Sequence, residues 1–145
     1  MRPGYGSARA RACGRPARNP PPPPTELILA LPRPIMLQRI LKQAAALGIV
    51  SIHLIRSAKV EKSFFHSPAL HPEKITERLL EGLTQAAVDT RLPKVSIHPQ
   101  FKAFVQDIVP QLAGCGLLAH LGMTASLPEV FPQESEKRIL LASLE

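Results

Sequence analysis

The chain has 145 residues, room for one domain with a sound core and not for two. Its formal charge of +7 suggests a polyanionic partner, but five arginines and no acid fall within residues 1–25, leaving 13 basic against 11 acidic residues beyond them. The remainder is therefore close to neutral, which excludes a uniformly basic surface: any affinity for phosphate must come from a local patch.

Residues 1–24 carry seven of the sixteen prolines, five of them consecutive at Pro20 to Pro24, with Arg2, Arg9, Arg11, Arg15 and Arg18. Such a segment cannot bury enough apolar surface to offset the entropy of ordering. It is expected to be a disordered arm ending in a polyproline spacer, or the remnant of a preceding domain. An organelle transit peptide is the alternative, although the prolines oppose the amphipathic helix such peptides form. Cys13 and Cys115 are unclustered and fit a reducing compartment, so the expected location is cytoplasmic. No apolar run approaches the ~20 residues of a membrane helix.

Residues 26–31 form an apolar run without alternation, as expected of a strand covered on both faces. Pro32-Arg-Pro34 stops it. A helical period follows, with Leu37, Ile40, Leu41, Ala44 and Leu47 on one face and Gln38, Arg39, Lys42 and Gln43 on the other. Gly48 stands where a left-handed cap belongs, and residues 49–55 read as the next buried strand. Covered strands joined by a crossover helix imply parallel pairing in an α/β layer fold with flanking helices. Such sheets bind ligands beyond the carboxyl ends of their strands.

A polar segment then runs from Arg56 to Pro68. It offers Arg56, Lys59 and Lys62 as cations, Glu61 as a carboxylate, and Phe64 and Phe65 as stacking or packing groups. Cations beside aromatics suit a single-stranded nucleic acid; the plain alternative is a solvated connector anchored by its phenylalanines. Pro72 and Glu73 announce a second helix to about residue 88. It should bury Ile75, Leu79, Leu83 and Ala86 and turn Lys74, Glu77, Arg78, Glu81 and Gln85 outward. Gln85, Asp89, Thr90 and Arg91 at its end could read a base edge or phosphate, or simply satisfy the last helical carbonyls.

Residues 94–97 read as a third strand, 101–109 as a brief helix closed by Pro110, and 116–120 as a fourth strand. A turn-rich loop occupies 121–133. Residues 138–142 are a fifth apolar run, expected to leave the sheet on an unpaired, uncovered strand open to a second copy. The histidines lack carboxylate or thiolate partners at ligand spacing, so no metal site is expected. His53 reads as a core or edge residue, and His120 is better placed for a ligand. Hydrolase, P-loop and dinucleotide fingerprints are absent.

Leu29-Ala-Leu-Pro-Arg-Pro34, Ala46-Leu-Gly48 and Val60-Glu-Lys-Ser-Phe-Phe-His-Ser-Pro68 are followed by Gln85-Ala86 with Asp89-Thr90, Leu92-Pro-Lys-Val95 and Phe101-Lys-Ala-Phe-Val105. In this order and spacing they resemble the 16S rRNA uracil-N3 methyltransferases of the SPOUT superfamily, over residues 25–120. The resemblance implies a PUA-like barrel followed by a parallel α/β domain whose carboxyl-terminal trefoil knot holds S-adenosylmethionine. It implies methylation of N3 of a uridine in small-subunit rRNA, by a homodimer acting on 16S rRNA or the small ribosomal subunit. On that resemblance Arg56, Lys59, Glu61 and Lys62 hold RNA or the developing negative charge. Gln85 and Arg91 floor the same site, and His120 and Gly122 border the cofactor. The family's Gly-Pro-Glu-Gly-Gly loop and knot-closing segment are not found through Ala142, so residues 25–145 are expected to be a partial methyltransferase domain without the knot. A non-catalytic RNA-binding fragment is the alternative.

Overall fold

The computed structural model describes residues 25–86, 91–112, 114–120, 122, 124–126, 129 and 138–142. The arm expected over 1–24, Asp89, Thr90 and most of the 121–133 loop lie outside the described residues.

β1 (Thr25–Ala30) leads through Pro32 and Arg33 into α1 (Pro34–Ala46), whose first position is a proline. That missing N–H would have no helical acceptor, and its fixed φ suits the first turn. α1 buries Leu37, Leu41, Ala44 and Ala45, with Ile40 half-buried against the same core. Leu47 is instead 78% exposed. It caps the helix, and the chain turns away at Gly48 (φ 77), so the helical period no longer governs its direction.

β2 (Ser51–Ile55) follows, then 3-10 turns over Lys62–His66 and Pro68–Leu70, and α2 (Pro72–Gln85). α2 buries Ile75, Leu79 and Gly82, while Leu83 and Ala86 are half-buried. At Gly82 a Cβ would overlap the Lys42 carbonyl oxygen and stand 2.9 Å from the Ala45 Cβ. Only glycine lets the two helix backbones come this close.

β3 (Lys94–His98) precedes a helical run that begins as α3 (Phe101–Ala103), widens to a π-helix over Phe104–Ile108, and tightens to 3-10 over Val109–Gln111. Pro110 therefore lies in the last turn and does not mark its limit. β4 (Cys115–Ala119) and β5 (Arg138–Ala142) complete a five-stranded sheet of order β3-β2-β1-β5-β4. Every pairing is parallel, as expected of covered strands.

The expectation for the fifth strand is corrected. β5 pairs with β1 on one side and β4 on the other. Among the described strands it is interior, and β3 and β4 are the edges. Insertion there satisfies both rows of its backbone donors and acceptors, which an edge would leave open.

Side chains of β1 and β2 divide by parity. Leu27, Leu29, Ile52 and Leu54 join α1 and α2 in one core cluster, while Ile28, Ala30 and Ile55 meet Phe104 on the opposite face. Helices on both faces follow from right-handed crossovers: the chain walks from β1 to β3 in one direction, then recrosses the sheet to β4.

Candidate functional site

Parallel strands put all their carboxyl ends on one rim. Ala30, Ile55 and His98 close the described ladder there, as do Ala119 and Ala142. The turns at 31–33, 56–71 and 99–100 and the residues after β4 therefore gather on this rim. The sheet order places β5, which comes last in sequence, beside β1, so the direction of winding reverses at that junction, where α/β sheets hold ligands.

The segment after β2 forms a ridge between two hollows. One hollow, of about 490 Å³, is lined by Leu31, Arg33, Met36, Lys59, Glu61 and Phe64, among others, and adjoins the end of β1. The other, of about 1000 Å³, lies between Arg56, Ser57 and Ala58 and the segment Pro99 to Gln106 that follows β3. The Arg56 N–H donates to the His98 carbonyl at 3.2 Å, extending the β2–β3 ladder past its last pair and fixing where Arg56 leaves the sheet. Leu31 does the same between β1 and β2, donating to the Ile55 carbonyl at 2.9 Å. Phe64 and Phe65 are half-buried against the α1–α2 core, which tethers the ridge from below. Both pack against that core, and Phe64 also lines the smaller hollow.

Arg56, Lys59, Glu61 and Lys62 thus share the carboxyl rim, with Lys59 and Glu61 in the smaller hollow and Arg56 in the larger. Lys62 is exposed at the start of the first 3-10 turn, and the Glu61 carboxylate accepts from Ser63 Oγ at 3.2 Å. His120 and Gly122 are exposed beyond β4 on the same rim. Gly122 has φ 96, with nothing within 4 Å of where a Cβ would stand.

Gln85 and Arg91 are elsewhere. α2 starts near the carboxyl rim and runs back antiparallel to the strands, so its end and the start of β3 lie at the amino rim. There Lys94 N–H donates to the Val50 carbonyl, and Val50 N–H to that of Thr25. Fourteen residues of helix span about 21 Å. The structure therefore does not bring Gln85 and Arg91 into the hollow of Lys59. Motif order along the chain could not show this, because a helix changes rims between its ends.

Sequence reasoning missed Arg33, Phe101, Lys102 and Gln106. Arg33 was visible inside Pro32-Arg-Pro34, immediately after a strand. The other three needed the knowledge that β3 pairs with β2 and ends on the same rim.

The charges on α2 are structural. Lys42 of α1 pairs with Glu81, which also accepts from Arg78 at 2.6 Å, and Lys74 donates to Glu77 at 2.8 Å. The bond from Lys42 holds the Glu81 carboxyl below the usual range, and that from Lys74 does the same for Glu77. On the opposite sheet face, His53 and Glu26 are both buried, with His53 Nε2 3.4 Å from Glu26 Oε2. Among the described residues no group of three or more His, Cys, Asp or Glu is placed to hold a metal. No helix of the described residues is long and apolar enough to cross a membrane.

Comparison with known proteins places these features in context. A family model described as an RNA methyltransferase domain matches residues 19–143. Ribosomal RNA small subunit methyltransferase E of Treponema pallidum (strain Nichols) is 40% identical over 81 residues, covering 56% of this chain and 30% of that protein. The chain thus spans about a third of that relative's length. A crystal structure titled as a hypothetical protein superposes with a TM-score of 0.63 at 16% identity, covering 88% of this chain and 59% of the other. That likeness concerns the fold alone.

Proposed function

The chain belongs to the RNA methyltransferase domain family, and on that premise we propose that it serves methylation of a uridine at N3 in small-subunit rRNA, with S-adenosylmethionine as donor. One observation carries the reading. Among the described residues, the rim where the winding reverses holds a hollow lined by two cations, Arg33 and Lys59, and one carboxylate, Glu61.

When bound, S-adenosylmethionine supplies a methyl group on a sulfonium sulfur. The described residues fit one edge of its site: Gly122, with its open flank, admits close approach of a ligand to the backbone, and His120 stands exposed beside it. The chain's own residues prepare the uracil. N3 must lose its proton for its lone pair to accept the methyl, and the resulting negative charge spreads over the flanking carbonyl oxygens. Lys59 and Arg33 stabilise that charge, Glu61 receives the proton, and positioning supplies much of the remaining rate. Arg56 and Lys62, on either side, hold the backbone phosphates. Gln85 and Arg91 would meet the RNA only as a second contact at the opposite rim.

The test is transfer of tritiated methyl from S-adenosylmethionine to purified small subunits, followed by reverse transcription across the product. N3 methylation blocks base pairing, so the expected result is label in 16S rRNA with a stop at one uridine. Label without a stop would overturn the N3 assignment. RNA binding without label would reassign the chain to binding without catalysis.

A further inference from the structure

Two phenylalanines three residues apart on one helical run have opposite fates. Phe104 is 2% exposed and anchors the run to Ile28, Ala30 and Ile55. Phe101 is 51% exposed and belongs to neither core cluster. A lone exposed apolar side chain needs no explanation, but this one lines the hollow of about 1000 Å³ together with Arg56, Gln100, Lys102, Gln106 and Asp107. That volume is at the upper end of the roughly 300–1000 Å³ usual for small-molecule sites.

Resting on the RNA-methylation reading above, we propose that this groove holds an unpaired nucleotide of the RNA, its base stacked on Phe101 and its phosphate between Arg56 and Lys102. Charge favours it: among the described lining residues, Arg56 and Lys102 against Asp107 leave one net positive charge, matched to one phosphodiester. An aromatic ring offers its face to any base, and only an unstacked base can take it, which selects single-stranded over helical RNA. The Gln100 and Gln106 amides each carry donors and an acceptor, so a base edge can be met in either sense. The backbone fixes the walls, since Arg56 is tied to the His98 carbonyl and the Phe104 N–H donates to the Gln100 carbonyl at 3.1 Å. Residues 56–58 line this groove and 59–61 line the hollow of Lys59, so one RNA strand passing this segment can meet both.

The experiment measures fluorescence anisotropy of a labelled single-stranded hexanucleotide with the full 145-residue chain, together with quenching of 2-aminopurine placed within it. Phe101→Ala should weaken binding about 5- to 100-fold and abolish the quenching, while Phe101→Trp restores both. Lys102→Gln should reduce the log–log salt slope by about 0.7. If the wild type binds the oligonucleotide and Phe101→Ala binds it equally well, the groove assignment falls and the methylation reading stands. If the wild type binds none even at low salt, the groove assignment falls, and methyl transfer to small subunits decides the methylation reading separately. If Phe101→Ala leaves RNA affinity intact but changes the sedimentation coefficient, the face belongs to a second copy of the chain and the proposal is overturned.

Discussion

His53 Nδ1 lies 3.1 Å from His98 Nε2, with the two rings 5.3 Å apart and both packed against Phe104. One facing nitrogen must carry the proton and the other accept it, so the doubly protonated pair loses the contact and places two charges together. Burial first, and the neighbouring His53 second, push His98 below its ordinary value. A histidine with a lowered folded pKa is neutral when folded and charged when unfolded, so the unfolded chain binds more protons. Its stabilising effect is complete above the unfolded value of about 6.5 and is lost as pH falls through and below it. The melting temperature should therefore drop between pH 7.5 and 5.5, and His98→Gln should flatten that slope. Among the described residues, Glu26 lies 3.4 Å from His53, and Asp107 lines one hollow with His98. An unchanged slope in His98→Gln would place its origin elsewhere.

Gly82→Ala should destabilise the fold by about 1–3 kcal/mol, the usual cost of overpacking a close contact. The added methyl meets the Lys42 carbonyl and the Ala45 side chain, and neither can swing aside. On helix propensity alone, the same change would stabilise α2 by about 1 kcal/mol. Urea unfolding decides between the two effects by sign.

Phe104→Ala should cost about 3–5 kcal/mol. Phe104 is the main attachment of the run from Phe101 to Gln111, with Ile108 and Leu112 only half-buried around it. Amides of that run should lose protection from hydrogen exchange well before those of β1 and β2. Uniform loss across both would mean that the run and the sheet unfold as one unit.

Most of this architecture was legible because its elements differ in period. β1 has no alternation, α1 repeats every three to four residues, and Gly48 marks the change. Leu47 escaped that logic since periodicity holds only while the helix continues, and the cap ends it. The partners of β5 were not legible either: residues 138–142 look the same at an edge or in the interior, and only the return past β4 decides. The site was half-visible for the same reason. A polar segment after a buried strand announces a ligand rim, so Arg56 to Lys62 could be read directly. The larger groove depends on β3 lying beside β2, a relation between residues 45 apart for His53 and His98.

Double-mutant cycles in methyl transfer turn this geometry into a measurement. Lys59→Gln alone should lower kcat about 100- to 1000-fold, the range for removing one charge-stabilising donor, with little effect on melting because the side chain is exposed. Arg33 lines the same hollow, and under the proposed function it stabilises the same charge, so Arg33→Gln combined with Lys59→Gln should fall short of the sum of the two. A coupling of about 0.5–3 kcal/mol is expected for residues sharing one target. Gln85 is separated from that hollow by the length of α2, and its change to Ala should add to Lys59→Gln within about 0.3–0.5 kcal/mol. Equal coupling of Lys59 to Arg33 and to Gln85 would mean that the RNA links both rims, and that the charge on the uracil is not stabilised locally at the end of β1.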